Sequence, residues 1–160
     1  MAKRCLIFYI LFCLIITSFL VTPNNTLIFA EVCKDYNCLE YVFYSKEKAS
    51  FYNCKIVDVG FGSIITCNEN NAQNIKRQIN DLSGESCLIK IENKDEILNI
   101  INKMSAKIIS QNEIDGLHII EAYSSKLSKF VYVSENKVNL QFAFKDNLLT
   151  IGYPVIMGSY

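Results

Sequence analysis

Short turn signals divide the second half of this chain into segments with strong β propensity. Asp115-Gly116, Glu135-Asn136 and Asp146-Asn147 separate runs that are rich in β-branched and aromatic residues. Connections of this length join antiparallel neighbours. The chain from residue 106 onwards is therefore predicted to form an antiparallel sheet, with strands over 106–111, 117–123, 130–134, 137–144 and 148–152.

A further hairpin is predicted around Gly60. The β-rich runs 55–59 and 63–66 flank Gly60-Phe61-Gly62, which is a strong hairpin signal. With an even loop centred on Gly60 and Phe61, residues whose numbers sum to 121 lie opposite each other, as Cys54 and Cys67 do. The pattern predicts either a disulfide between these two cysteines or two small apolar side chains packed on one face.

Between this hairpin and the later strands, the apolar period changes to that of a helix. The first predicted helix has the stripe Ala72, Ile75, Ile79 and Leu82, with Asn70 or Asn71 as its cap and Gly84 at its end. The second follows Asn93-Lys94-Asp95-Glu96, which has the spacing of a capping box. Its apolar face consists of Ile97, Ile100, Ile101 and Met104.

These elements predict an α+β fold class, a curved antiparallel sheet with two helices packed on one face. Residues 87–91 supply a strand between the helices, and residues 39–44 are typical of either a helix or an edge strand. The apolar tail 154–160 either completes the sheet as an edge strand or is available for pairing with a partner's strand.

The amino terminus predicts the compartment. Lys3 and Arg4 precede an uncharged run over 5–22, which is typical of an export signal or of a single membrane anchor. Cleavage near Ala30, with Ile28 at the minus-three position, and retention as an anchor both remain open. The chain is thus divided into a signal or N-terminal hydrophobic helix, 1–30, and one extracytoplasmic α+β domain, 31–160, which is secreted or anchored to the cell membrane.

Charge and cysteine spacing exclude several kinds of partner. Without Lys3 and Arg4 the chain has 14 basic residues against 16 acidic ones, which together with the compartment argues against nucleic acid. Five of the seven cysteines follow the apolar start, and an odd number leaves at least one thiol free or paired between chains. Their spacing matches no zinc site, so no metal and no cofactor is predicted.

Five short stretches carry a resemblance to a known family, namely residues 57–63, 84–86, 122–124, 137–141 and 152–160. Over about residues 38–160 the chain resembles the YwmB-like exported proteins of spore-forming Gram-positive bacteria. That family is described as having a TATA-box-binding-protein-like fold, a curved sheet backed by helices. The resemblance implies an envelope protein of unassigned role, connected with sporulation or the cell wall, and supplies no catalytic residues.

Candidate binding residues come from the polar positions of the predicted strands. Asn139 and Gln141 alternate on one strand, and Tyr123, Tyr132 and Tyr153 are predicted near them. Amides and phenols on a concave sheet can hydrogen-bond sugars or peptides; the alternative is that these side chains only face solvent.

Two functional interpretations follow. The first is a non-enzymatic envelope module that binds a protein or a cell-wall component on its sheet face, with the membrane contacted through residues 1–22 if they are not cleaved. The second is a small wall-acting hydrolase, which requires His118, the single histidine, or an acid pair at the bottom of a pocket. The position of His118 within a predicted strand favours a histidine on a sheet face over a catalytic base.

Overall fold

The computed structural model of the protein describes residues 26–157; the apolar run over 5–22 and residues 158–160 lie outside this part. Three helices within it, α1 to α3, span Ala30–Cys33, Glu69–Lys76 and Asp95–Lys103. The strands β1 to β10 span Cys38–Ser45, Lys55–Asp58, Ser63–Cys67, Leu82–Lys90, Ala106–Ile114, Leu117–Ser124, Val131–Val133, Asn136–Val138, Leu140–Lys145 and Leu148–Tyr153.

Eight of these strands form one antiparallel sheet, in the order β2-β3-β1-β4-β10-β9-β6-β5, and β7 pairs with β8 in a separate two-stranded sheet. The predicted α+β class with a large antiparallel sheet is therefore confirmed. The segment 39–44, predicted as a helix or an edge strand, belongs to β1, which lies inside the sheet between β3 and β4. Tyr41, Phe43, Tyr44 and Ser45 of this strand are buried, whereas Leu39 and Glu40 are exposed.

Two-residue turns close the hairpins of the second half. Asp115-Gly116 joins β5 to β6 and Asp146-Asn147 joins β9 to β10, and all four residues have positive φ. Asp, Asn and Gly tolerate this conformation, which matches the twist of antiparallel strands. The third turn is Ser134-Glu135, one residue earlier than the predicted Glu135-Asn136.

The hairpin around Gly60 has the predicted register. Asp58 lies opposite Ser63, and the same count places Cys54, just before β2, beside Cys67 at the end of β3. Asp58 Oδ1 accepts a hydrogen bond of 2.8 Å from the Gly60 backbone N–H, which holds the turn. Asp58 and Ser63 are therefore cross-strand neighbours, but their side chains do not bond to each other. Ser63 Oγ instead accepts a hydrogen bond from the Ala49 backbone N–H.

Helix α2 is shorter than predicted and starts earlier. Asn68 caps it, in place of Asn70 or Asn71, because its Oδ1 accepts a 3.1 Å hydrogen bond from the Asn71 backbone N–H. The helix ends at Lys76, and Leu82 starts β4 because its backbone pairs with β1. The apolar stripe predicted as one helix therefore runs through a helix, a turn and the start of a strand.

Only the glutamate half of the predicted capping box forms before helix α3, which begins at Asp95 with Lys94 as the preceding residue; the Asn93 side chain bonds the Asp95 backbone N–H and not that of Glu96. Asn93 Oδ1 accepts a 3.0 Å hydrogen bond from the Asp95 backbone N–H, and Glu96 Oε1 accepts one of 3.0 Å from the Asn93 backbone N–H. The apolar face of the helix is buried through Ile97, Ile100 and Ile101. Two groups that the first turn would leave without partners are satisfied in this way.

The core lies between the helices and one face of the eight-stranded sheet. Successive side chains of a strand point to opposite faces, and those on the helix-facing side make up the largest fully buried side chains, among them Tyr41, Phe43, Ile89, Phe142 and Ile151. The helices leave the other face of the sheet uncovered.

The residues just before α1 are part of this folded core. Phe29 is fully buried. Lys76 Nζ donates hydrogen bonds to the Thr26 carbonyl oxygen at 2.7 Å and to Glu85 Oε1 at 2.9 Å, and Glu85 Oε1 also accepts one of 2.8 Å from the Ile28 backbone N–H. A buried ion pair thus holds the start of the domain against the sheet.

The predicted division after Ala30 falls within α1, which starts at this residue. Among residues 26–157, no helix combines the length and the apolar character needed to cross a membrane. The segment for which an export signal or an anchor is predicted precedes these residues.

Candidate functional site: the concave face of the sheet

The candidate site is built from the strand positions that point away from the helices. Tyr41 and Phe43 of β1 point into the core, so the alternating residues Val42 and Tyr44 point to the opposite side. The uncovered face has an apolar lining, because Val42 on β1 is joined there by Leu88 on β4 and by Leu148 on β10.

These positions line a groove of about 840 Å³. Val57 on β2 and Leu117 on β6 both line it, although β2 is one edge of the sheet and β6 lies next to the other. The sheet is therefore curved, and this face is its concave side. Charged residues lie among the apolar ones in the lining, which includes Glu40, Lys55, Asp115, Lys145 and Asp146.

Three of the groove's apolar side chains are substantially exposed. Leu148 is 40% exposed, Val57 45% and Ile114 59%. Large apolar side chains that share one concave surface are a typical feature of binding sites, whereas isolated ones are ordinary. The arrangement can therefore take up an apolar group and remove it from water.

Hydroxyl groups provide polar positions in the groove. Tyr44 Oη and Ser86 Oγ lie 3.1 Å apart and share a hydrogen bond. Burial raises the pKa of the Tyr44 phenol, so this group stays neutral at physiological pH. A neutral hydroxyl pair can orient a ligand by hydrogen bonding but supplies no base for hydrolysis.

The chain's own tail already occupies one part of the concave face. After β10 the segment from Pro154 to Met157 folds back over two glycines, Gly84 and Gly152. A Cβ atom on Gly152 would lie 2.6 Å from the Ile156 backbone nitrogen, and one on Gly84 would lie 2.9 Å from Met157 Cε. Only glycine therefore allows this approach.

A side chain from the sheet fixes the tail. Gln141 Oε1 accepts a 3.1 Å hydrogen bond from the Ile156 backbone N–H. Met157 then lines a smaller pocket of about 190 Å³, together with Tyr44, Phe61 and Ile64. Residues 154–157 are thus not the edge strand that the sequence suggested, since the edges of the described sheet are β2 and β5; residues 158–160 of the predicted tail lie outside the described residues.

The two amides predicted as binding residues hold backbone instead. Asn139 is fully buried between β8 and β9. Its Oδ1 accepts from the Ser124 backbone N–H at 2.7 Å, and its Nδ2 donates to the Ser124 and Leu127 carbonyl oxygens at 2.8 and 3.2 Å. It interrupts the predicted strand 137–144, whereas Gln141 lies on the concave face and binds the tail.

The three predicted tyrosines do not come together. Tyr153 lies in the core, and its hydroxyl accepts a 2.9 Å hydrogen bond from the Lys129 backbone N–H. Tyr123 follows the alternation of β6 and points to the concave side. Tyr132 is 66% exposed on the β7–β8 hairpin, where its ring meets Phe130 edge-on at 5.5 Å.

His118 lies on the helix side of the sheet and not in the groove. Its ring neighbours Phe144, a core residue, and its Nδ1 is 2.9 Å from Glu113 Oε2, while Lys94 Nζ approaches Nε2. Glu121, three residues later, points to the opposite face and accepts a 2.6 Å hydrogen bond from Ser110 Oγ. His118 is therefore not among the residues that line the groove, where the histidine form of the hydrolase interpretation would place it.

The cysteines carry the remaining reactive groups of the described chain. All five, Cys33, Cys38, Cys54, Cys67 and Cys87, are free thiols, and Cys54 and Cys67 are close enough to share a side-chain hydrogen bond. Among residues 26–157, no group of three or more His, Cys, Asp or Glu side chains is arranged to hold a metal ion.

Comparison with protein-family models, with curated proteins and with solved structures found no match to this chain.

Sequence reasoning missed the groove because its residues are unremarkable one by one. Val42, Leu88 and Leu148 are ordinary strand residues. Within β1, residues 41–44 form a run that is apolar on both faces, which signals a strand buried on both sides. With helices available for only one side, that run could have indicated an uncovered apolar face.

Proposed function

We propose that this protein is an exported, non-enzymatic binding module at the outer face of the bacterial membrane. Its concave sheet face holds an extended, apolar segment of a partner polypeptide. The observation that carries the proposal is the apolar groove of about 840 Å³ on the side that the helices leave open. Export remains part of the proposal, since it rests on the basic start and the apolar run that precede residue 26.

The composition of the groove favours polypeptide over wall glycan. Half of the residues that line it are aliphatic, Val57, Leu88 and Leu148 among them. Glycans present many hydroxyl groups, and burying these against aliphatic carbon without hydrogen bonds costs free energy. Apolar side chains of a partner gain free energy on the same surface, at roughly 25 cal/mol per Å² removed from water.

The tail provides a second argument. Residues 154–157 show the kind of ligand that this face accepts: a short apolar segment whose backbone N–H is bound by a side chain of the sheet, here Gln141. Ile156 of the tail itself lines the groove, so the groove continues from the tail. A partner segment would extend along the same face.

The family and the finer fold assignment are also proposals. A curved antiparallel sheet with helices on its convex side and an open concave side is the arrangement that the resemblance to YwmB-like proteins and the TATA-box-binding-protein-like fold imply. The concave face of this chain carries apolar residues and charges of both signs, which supports a polypeptide partner in place of nucleic acid. The same resemblance supports a role connected with sporulation or the cell wall.

The test compares two matched substitutions in the full chain, kept in mild detergent. Leu148→Asp places a charge in the groove, and Leu98→Asp places the same charge on the outer side of α3; the two leucines are 40% and 49% exposed. The probe is a fluorescent peptide of alternating valine and threonine, read by anisotropy. We expect Leu148→Asp to weaken binding about tenfold or more, which corresponds to at least about 1.4 kcal/mol, and Leu98→Asp to leave it unchanged.

An equal loss of peptide affinity in both variants contradicts the proposal, as does a peptide that does not bind to the unaltered chain. A peptidoglycan fragment serves as the second probe. If it binds in the groove and the peptide does not, the partner is a wall component instead.

A further inference from the structure

The five cysteines of the described chain lie in one region, although they are far apart in sequence. Cys33, Cys67 and Cys87 belong to the buried core, and Cys38 and Cys54 pack against it. Tyr41 of β1 lies opposite Cys67 on one neighbouring strand and opposite Cys87 on the other. The sheet therefore brings thiols from three of its strands to the same face, beside the end of α1.

Contacts within this region divide the thiols into two groups. Cys54 is next to Cys67 across the hairpin, and the two share a side-chain hydrogen bond. Cys33 at the end of α1 shares one with Cys38 at the start of β1 and another with Cys87. Two disulfides are the most that five thiols can form within one chain. With Cys54 and Cys67 in one of them, the second joins two of the remaining three thiols, and Cys33 is the one that contacts both of the others.

We propose that the protein carries two disulfides, Cys33–Cys38 and Cys54–Cys67, and that Cys87 remains a buried thiol. This inference rests on the proposed export, since disulfides persist outside the cytoplasm and are rare inside it. The Cys33–Cys38 bond connects the short helix α1 to the sheet, and the Cys54–Cys67 bond closes the open end of the hairpin that forms the sheet's edge.

Access and sequence separation select Cys38 over Cys87 as the partner of Cys33. Cys38 is half-buried, whereas Cys87 is fully buried at the centre of the sheet, where β1 and β10 flank it. During folding, Cys38 therefore stays within reach of an oxidant after the sheet has covered Cys87. Cys33 and Cys38 also lie five positions apart, and short loops close early in folding, before distant strands such as β4 have docked.

The chemistry of each bond is thiol–disulfide exchange with an external disulfide, either of an oxidoreductase or of a small molecule. Two thiols of the chain lose two protons and two electrons in forming one disulfide, and the donor disulfide is reduced to two thiols. Burial raises the pKa of Cys67 to about 12, and the pKa values of Cys33 and Cys38 lie above the ordinary thiol value as well. The folded thiols are therefore poor nucleophiles, and the bonds form while the chain is still folding.

The test uses the full chain with Cys5→Ser and Cys13→Ser, so that Cys33 is the single cysteine in its tryptic peptide. Trypsin then places every remaining cysteine on a different peptide, because lysines lie between each successive pair, at Lys34, Lys46, Lys55 and Lys76. The reduced, unfolded chain is refolded in detergent with a mixture of reduced and oxidised glutathione, alkylated, digested and mapped by mass spectrometry.

We expect two linked peptide pairs, Cys33 with Cys38 and Cys54 with Cys67, and alkylation of Cys87 only after unfolding. A Cys33–Cys87 link, or a folded protein in which all five thiols are alkylated after unfolding, overturns the proposal. Two variants serve as controls. Cys87→Ala is expected to retain both links, and Cys38→Ala is expected to lose the first link and keep the second.

The glutathione mixture supplies the oxidant, so this result does not depend on export. A failure of the peptide-binding experiment would leave the disulfide map unaffected, and the two proposals can be rejected separately.

Discussion

At the scale of single residues, the buried pair Lys76–Glu85 is the most unusual feature of this small domain. Their side chains are only 6% and 0% exposed, and burial of charges is costly unless they are paired and hydrogen-bonded. Here Glu85 Oε1 accepts from the lysine and from the Ile28 backbone N–H, and the lysine also donates to the Thr26 carbonyl oxygen. The pair thus connects α2, β4 and the start of the domain.

Removing the lysine is expected to destabilise the fold strongly. Lys76→Met leaves the Glu85 carboxyl buried without its counter-charge, and such losses cost about 3–5 kcal/mol. The matched control is Lys34→Met, which breaks the exposed pair with Glu31 and should have no measurable effect on the free energy of unfolding. Urea unfolding of the two variants and the unaltered chain measures the difference; equal stability of all three would contradict the structural role of the pair.

The loss of stability in Lys76→Met should be larger at high pH than at low pH. Burial already raises the pKa of Glu85 above its ordinary value of 4.5, against the opposing effect of Lys76. A carboxyl group whose folded-state pKa is raised contributes less to stability as the pH rises from its unfolded value through the folded one. Without the lysine, the cost of burying the charged Glu85 carboxylate grows. The free energy of unfolding of the variant should therefore be closer to that of the unaltered chain at about pH 4 than at about pH 8.

At the scale of elements, the position of the tail on the concave face depends on the absence of a side chain at Gly152. Gly152→Ala would place a methyl carbon 2.6 Å from the Ile156 backbone nitrogen, so the tail has to leave the sheet. We expect the Ile156 amide, now bonded to Gln141, to lose its protection from hydrogen exchange. Thr150→Ala, on the same face of β10 two residues earlier, is the control that should retain it; protection retained in both variants would mean that the tail shifts without detaching.

Local patterns predicted the elements that local interactions determine. The hairpin register around Gly60 and the hydrogen bond from the Asn93 backbone N–H to Glu96 follow from residues close in sequence, and both are present as predicted. The interior place of β1 and the burial of Asn139 depend on contacts with distant segments. A polar residue within a strand pattern predicts a surface position. Only the structure around Ser124 shows that the Asn139 side chain bonds both the N–H and the carbonyl oxygen of that residue's backbone.

The candidate site was harder to predict than the fold for the same reason. Its residues come from both edges and the centre of the sheet, and the curvature that brings Val57 and Leu117 to one groove is a property of the whole sheet. The polar residues chosen from the sequence stabilise the scaffold, whereas the groove itself is lined by side chains whose composition alone indicates only strand.

At the scale of the whole molecule, the fold limits where an export signal can be cut. Phe29 is fully buried, and the backbone of Thr26 and Ile28 satisfies the Lys76–Glu85 pair. Cleavage after Ala30 would remove all three residues and leave the buried pair without those partners, at a cost comparable to other losses of buried hydrogen bonds. The folded domain therefore requires residues from Thr26 onwards.

For the export proposed above, we expect the amino terminus of the processed protein, mapped by mass spectrometry on material from the cell envelope and the medium, to lie at or before Thr26. The physical reason is that a chain starting at Glu31 lacks a core aromatic residue, and losing such a side chain costs about 3–5 kcal/mol, a large part of the stability of a domain of this size. A stable mature protein that begins at Glu31 would contradict this. If the mapped protein is uncut, only residues 23–25 separate the apolar run from Thr26, a span of at most about 10 Å. The proposed membrane anchor would then hold the domain close to the membrane surface, and the proposed partner of its concave face would have to be reachable there.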